Sequence, residues 1–124
     1  RIIEYLLKVK YPYNVNVLTL EKALDSLNDA NKSSDYIQKI IKDREALKTA
    51  CEEFGFIEKV YPSDANFILV KVKNALKLYN YLLKRGVVIR NRSNVHLCEG
   101  CLRITVGTTE ENELLIKLLK EYED

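Results

Sequence analysis

Hydrophobic periodicity changes character at Gly55, and this change constrains the fold more than any other feature. Upstream, apolar residues recur every three to four positions. Leu20, Ala23, Leu24 and Leu27 form one set; Ile37, Ile40, Ile41, Leu47, Cys51 and Phe54 form another. Such spacing lines one face of a helix. Downstream, short β-branched and aromatic runs take over, as in Asn66-Phe67-Ile68-Leu69-Val70-Lys71-Val72. These read as strands. A chain that makes both must bury its helix stripes against a sheet face. It has 124 residues, 47% of them hydrophobic and 31% charged, which is material for one modest core and not two. With 4 Gly and 2 Pro it is neither collagen-like nor low-complexity.

Residues 1–10 read as a helix ended by Pro12, since the residue before a proline avoids the helical region. An extended or turn segment follows. Thr19 can cap the next helix. The polar stretch 28–35 breaks it, and Ser33 or Ser34 starts a long helix that Gly55 stops. Residues 56–61 and 66–72 read as strands joined by a Pro62-Ser63-Asp64 turn. Asn74 caps a helix carrying Ala75, Leu76, Tyr79, Leu82 and Leu83, closed by Gly86. Residues 87–90 read as a short strand, 91–100 as a loop and 102–106 as a strand. Thr108 and Glu111 match a capping box that opens a last helix with Leu114, Leu115, Leu118, Leu119 and Tyr122 on its inner face. Past residue 18 the order is α-α-β-β-α-β-β-α. The expected fold is α+β, a mixed or antiparallel sheet of about three or four strands covered on one side by helices.

The net charge of +2 comes from 20 basic and 18 acidic residues that are interleaved along the chain. No basic stripe of the kind that binds nucleic acid is present. Lys39, Lys42 and Arg44 sit among Asp35, Asp43 and Glu45 and read as a solvated helix face. Uninterrupted apolar runs stay far below the ~20 residues of a membrane span, and no secretory leader is visible. The chain contains no Met, so it reads as a piece of a longer protein.

The cysteines are Cys51, Cys98 and Cys101. An odd count argues against a disulfide framework and for a reducing cytoplasm. Cys98-Glu99-Gly100-Cys101 lacks the second ligand pair of a structural zinc site and reads as an incidental loop pair; no metal is expected. Cys51 reads as core. The one histidine, His96, lies in a polar loop, and no nucleophile elbow, Walker loop or dinucleotide motif occurs. The chain thus holds no self-contained catalytic machine.

Arginine placement is the informative feature. On a strand, Leu102, Ile104 and Val106 share one face while Arg103 and Thr105 share the other. A guanidinium held on a sheet can grip a carboxylate or phosphate through two parallel hydrogen bonds. Arg90 ends an apolar run, where charge is otherwise avoided, and Arg92 reads as solvated. The pattern alone leaves open whether Arg103 lines a cleft or faces water.

Gly100-Cys101-Leu102-Arg103-Ile104-Thr105-Val106-Gly107-Thr108, followed by Glu110-Glu111-Asn112, resembles the carboxyl-terminal signature of histidinol-phosphate aminotransferases. Tyr61-Pro62-Ser63-Asp64-Ala65-Asn66-Phe67, Gly86-Val87-Val88-Ile89-Arg90 and Pro12-Tyr13-Asn14-Val15-Asn16 are similar to further segments of the same family, in the same order. The resemblance implies the small carboxyl-terminal domain of a fold-type-I pyridoxal-phosphate transferase. Residues 1–18 would be the crossover from a missing cofactor domain, and residues 19–124 the small domain. The implied parent is a cytoplasmic homodimer that transfers an amino group between L-histidinol phosphate and 2-oxoglutarate (or glutamate) in histidine biosynthesis.

By the same resemblance, Arg103 binds the substrate carboxylate and Arg90 takes part in binding the substrate phosphate. The family's Schiff-base lysine follows a serine, and no Ser-Lys dipeptide occurs here. The fragment is therefore expected to carry no catalytic or cofactor-binding residue, to bind no pyridoxal phosphate and to be inactive alone. Two other readings stand beside this one: the small domain of a related enzyme, such as a threonine-phosphate decarboxylase or an aromatic aminotransferase, and a non-catalytic ligand-binding module.

Overall fold

The computed structural model describes residues 2–10, 15–28 and 30–123. The segment containing Pro12, Tyr13 and Asn14 lies outside them. The chain divides into two compact units, residues 1–36 and 37–124.

The first unit contains α1 (Ile2–Val9), α2 (Val17–Asn28) and the start of α3 (Ala30–Glu52). Neither α1 nor α2 buries a residue, although both are apolar along one face. The cap of α2 differs from expectation. Asn16 holds it, its Oδ1 accepting from the Thr19 amide at 2.9 Å, so Thr19 stands in the first turn. The start of α3 also differs, at Ala30 rather than at Ser33 or Ser34. Ser33 Oγ instead donates back to the Ser26 carbonyl.

The second unit contains the rest of α3, then β1 (Ile57–Tyr61), β2 (Phe67–Val72), α4 (Ala75–Leu83), β3 (Arg90–Asn91), β4 (Cys101–Thr105) and α5 (Thr109–Lys120). The strands form one antiparallel sheet in the order β1-β2-β4-β3. On one face Ile68, Val70, Val72, Leu102 and Ile104 are buried. They meet Leu47 and Cys51 from α3, Leu78 and Leu82 from α4, and Leu115, Leu118 and Leu119 from α5. This is the expected one-sided α+β arrangement. The other face carries Tyr61, Phe67, Leu69, Lys71, Arg103 and Thr105, by the strict alternation of β-structure.

Local chemistry sets the element ends. Asn74 caps α4, its Oδ1 accepting from the Lys77 amide at 3.0 Å. Gly86 closes it with φ +81, and the Val87 amide reaches back to the Leu82 carbonyl. The capping box of α5 is complete: Thr108 Oγ1 accepts from the Glu111 amide, and the Glu111 carboxylate accepts from the Thr108 amide at 2.7 Å.

Three further expectations are corrected. Residues 87–89 are not a strand; pairing with β4 is confined to Arg90–Asn91. Leu114, placed on the inner face of α5, is exposed, and Asn112 is buried there instead. Arg44, read as solvated, is buried, and its Nη1 donates to the Ala65 carbonyl at 3.1 Å. It anchors the β1–β2 turn to α3, where Ser63 Oγ also donates to the Phe67 carbonyl.

Candidate functional site

The two arginines singled out in the sequence meet on the sheet. Arg90 of β3 is the direct register partner of Arg103 of β4. Leu69 of β2 opposes Arg103 from the other side. Arg103 is half-buried, and its guanidinium carbon lies 5.0 Å from the centre of the Phe67 ring. Its Nε is buried without a hydrogen-bond partner among the described residues, and no described carboxylate forms an ion pair with it. Arg90 is exposed. The site is therefore one supported guanidinium with a second, freer one opposite.

Arg92 continues the ladder beyond β3, its amide donating to the Cys101 carbonyl at 2.9 Å. It is half-buried rather than solvated, and alternation places it on the face of Arg90. Neither this nor the Phe67 ring was assigned from the sequence. The signal for Phe67 was present, since it alternates into the same face as the arginine two strand positions away; the register that joins them was not.

Three successive turns fold residues 92–101 into a knit loop. The Val95 amide donates to the Arg92 carbonyl, the Cys98 amide to Val95, and the Cys101 amide to Cys98, at 2.8, 2.9 and 2.9 Å. Leu97 (φ 64) and Gly100 (φ +74), each third in its turn, take the left-handed conformation that a type II turn requires there. The Cys101 thiol is pushed up from its ordinary pKa, first by burial and then by the nearby Cys98.

A concavity of about 330 Å³ lies between the segment after α4, the end of β4 and the start of α5. Val87, Val88, Ile89, Thr105 and Leu114 line it, with Glu111 at its rim. Among the described residues no group of His, Cys, Asp and Glu could hold a metal ion. No helix among them is long and apolar enough to cross a membrane.

Residues 1–119 match the family profile of class I and II aminotransferases. The chain belongs to this family. It is 54% identical over 119 residues to the histidinol-phosphate aminotransferase of Flavobacterium psychrophilum, covering 96% of this chain and 34% of that protein. The enzyme of the same description from Parabacteroides distasonis is 52% identical with the same coverage. Among solved structures, the histidinol-phosphate aminotransferase from Clostridium acetobutylicum superposes with a TM-score of 0.78 at 28% identity, over 97% of this chain and 37% of that one. The L-threonine-O-3-phosphate decarboxylase from Porphyromonas gingivalis gives 0.72 at 28% identity, over 96% and 38%. This aminotransferase chain thus spans about a third of the length of the curated relatives it matches.

The family implies pyridoxal phosphate as cofactor. The two lysines on the arginine face are not placed as its Schiff base requires. A Schiff-base lysine must be desolvated or held beside another cation to react as a free amine. The lysines nearest the arginine face are differently placed: Lys71 Nζ lies 3.7 Å from the Glu58 carboxylate, and exposed Lys59 lies over the Tyr61 ring at 4.8 Å.

Proposed function

We propose that this chain is the carboxyl-terminal small domain of a histidinol-phosphate aminotransferase, with residues 1–18 as crossover and residues 19–124 as the domain. Its work is to bring a substrate-gripping pair of guanidiniums, Arg103 and Arg90, to a cofactor domain contributed by the rest of the parent. The register pairing of these two arginines on an open sheet face carries this reading. Like charges placed directly across a strand pair repel. An anion between them reverses the sign of that interaction. A carboxylate or phosphate offers the oxygen geometry that the fork of Arg103 accepts.

The names of the relatives support the transaminase part of this reading; the location and the dimer are part of the proposal. The parent transfers an amino group between L-histidinol phosphate and 2-oxoglutarate, with pyridoxal phosphate held outside this chain, as a cytoplasmic homodimer. Identity of 52–54% over 96% of this chain to enzymes of that description supports the transaminase reading. Closure of the small domain excludes water and completes the site.

The test is to assay the full-length parent with L-histidinol phosphate and 2-oxoglutarate, and separately with O-phosphothreonine. Glutamate production from the first pair, with no carbon dioxide from the second, is the expected result. Decarboxylation without transamination would overturn the reading.

A further inference from the structure

Cys98 and Cys101 are free thiols at the two ends of one turn. The Cys101 amide donates to the Cys98 carbonyl at 2.9 Å, and Gly100, third in the turn, has φ +74. These are the marks of a type II β-turn, whose end Cα atoms lie within ~7 Å. Disulfides form at Cα separations of about 4.4–6.8 Å. The Val72 amide donates to the Gly100 carbonyl at 3.0 Å, so β2 holds the turn in place. Cys98 is half-buried, whereas Cys101 is buried at the head of β4. The other polar contacts of the Cys101 sulfur are slight: the Glu99 carbonyl at 3.9 Å, and a hydrogen bond with Tyr61.

We propose that Cys98 and Cys101 form a redox-active dithiol that closes to a disulfide across this turn by exchange with a small-molecule disulfide such as oxidised glutathione. The Cys98 thiolate attacks one glutathione sulfur, and one reduced glutathione leaves with the displaced electron pair and a proton. The Cys101 thiolate then attacks the Cys98 sulfur and expels the second glutathione. Two cysteine sulfurs are oxidised, one glutathione disulfide is reduced to two thiols, and the two thiol hydrogens leave with them. Exposure assigns the order: Cys98 meets the oxidant, and buried Cys101 resolves from three residues away. The raised pKa of Cys101 keeps that sulfur in its thiol form at rest. Cys51 takes no part, being fully buried in the core. This inference is independent of what Arg90 and Arg103 bind.

Trypsin cuts after Arg92 and Arg103, so both cysteines fall in peptide 93–103 and Cys51 does not. The native full-length parent is equilibrated across glutathione redox ratios, acid-quenched, alkylated and digested, and this peptide is weighed. The expected product lacks two hydrogens and both alkyl groups, and reverts with excess thiol. Its equilibrium constant exceeds that of the free peptide 93–103 by roughly tenfold, because the fold already holds the turn. Cys101→Ser accumulates glutathione on Cys98, while Cys98→Ser leaves Cys101 unmodified. Three results overturn the proposal: two alkylated cysteines at full oxidation, a glutathione adduct that never resolves in the unmutated protein, or an equilibrium constant no higher than the free peptide's.

Discussion

Arg90 and Arg103 face each other across the β3–β4 pair, with no described carboxylate paired to Arg103. Opposed like charges at a register pair destabilise a sheet by roughly 0.2–1 kcal/mol, and a bound anion removes that cost.

The first prediction follows directly. Arg90→Gln stabilises the anion-free protein by a few tenths of a kcal/mol, read from the urea midpoint. Inorganic phosphate at constant ionic strength raises the midpoint of the unmutated protein and does so less for the variant. A variant that loses stability without phosphate contradicts the pairing argument.

Phe67 supports Arg103 through its ring face at 5.0 Å. On the proposed role of Arg103 it is a positioning residue, because it would act on substrate only through the guanidinium. A cation–π contact at a partly exposed site contributes about 0.5–1 kcal/mol. Phe67→Leu in the parent therefore raises KM for the anionic substrate about two- to fivefold with kcat nearly unchanged, and Phe67→Tyr restores it. Equal losses in kcat for both variants contradict a positioning role.

Gly107 is required by the capping box that follows it. A Cβ there would stand 2.6 Å from Glu111 Oε2, the oxygen side that closes the box on Thr108. Gly107→Ala must displace that carboxylate and costs about 1 kcal/mol, similar to Glu111→Ala. The double variant costs less than the sum of the two singles, because both remove the same interaction. Additive losses in chemical denaturation contradict this coupling.

Much of this was legible in the sequence because the signals were local. Asn74, Gly86 and the Thr108–Glu111 box each act within four residues, so type and spacing suffice. Alternation in residues 102–106 separated Leu102, Ile104 and Val106, all buried, from Arg103 and Thr105. Residues 87–89 misled because an apolar run looks alike whether or not a partner strand stands beside it. Here Ile89 turns into the core, Val88 stays 72% exposed, and the chain leaves β4 to form the wall of the 330 Å³ groove. The Arg90–Arg103 register depends on how three turns shorten residues 92–101, which no local pattern encodes.

Cys51 sets a pH dependence. Burial, with the Glu52 charge adding to it, pushes its thiol up to about 12. The unfolded thiol ionises near ~8.5, so above that pH the unfolded state releases a proton that the folded state retains. Stability is complete below this range and falls as pH rises toward 12, by at most about 1.4 kcal/mol per pH unit. Urea titrations of the unmutated protein and Cys51→Ala across pH 8–11 test this. The variant starts lower, from the lost packing, and has the shallower slope. Parallel slopes contradict the assignment.

The most direct measurement is kcat/KM for transamination by the full-length parent carrying Arg103→Ala and, separately, Arg103→Lys. Loss of a charge-assisted two-point contact removes about 3 kcal/mol of transition-state binding, so the alanine variant falls by a factor of order 10² or more. Lysine, a point charge without the fork, recovers only part of it. An alanine variant that keeps its efficiency within twofold contradicts the account.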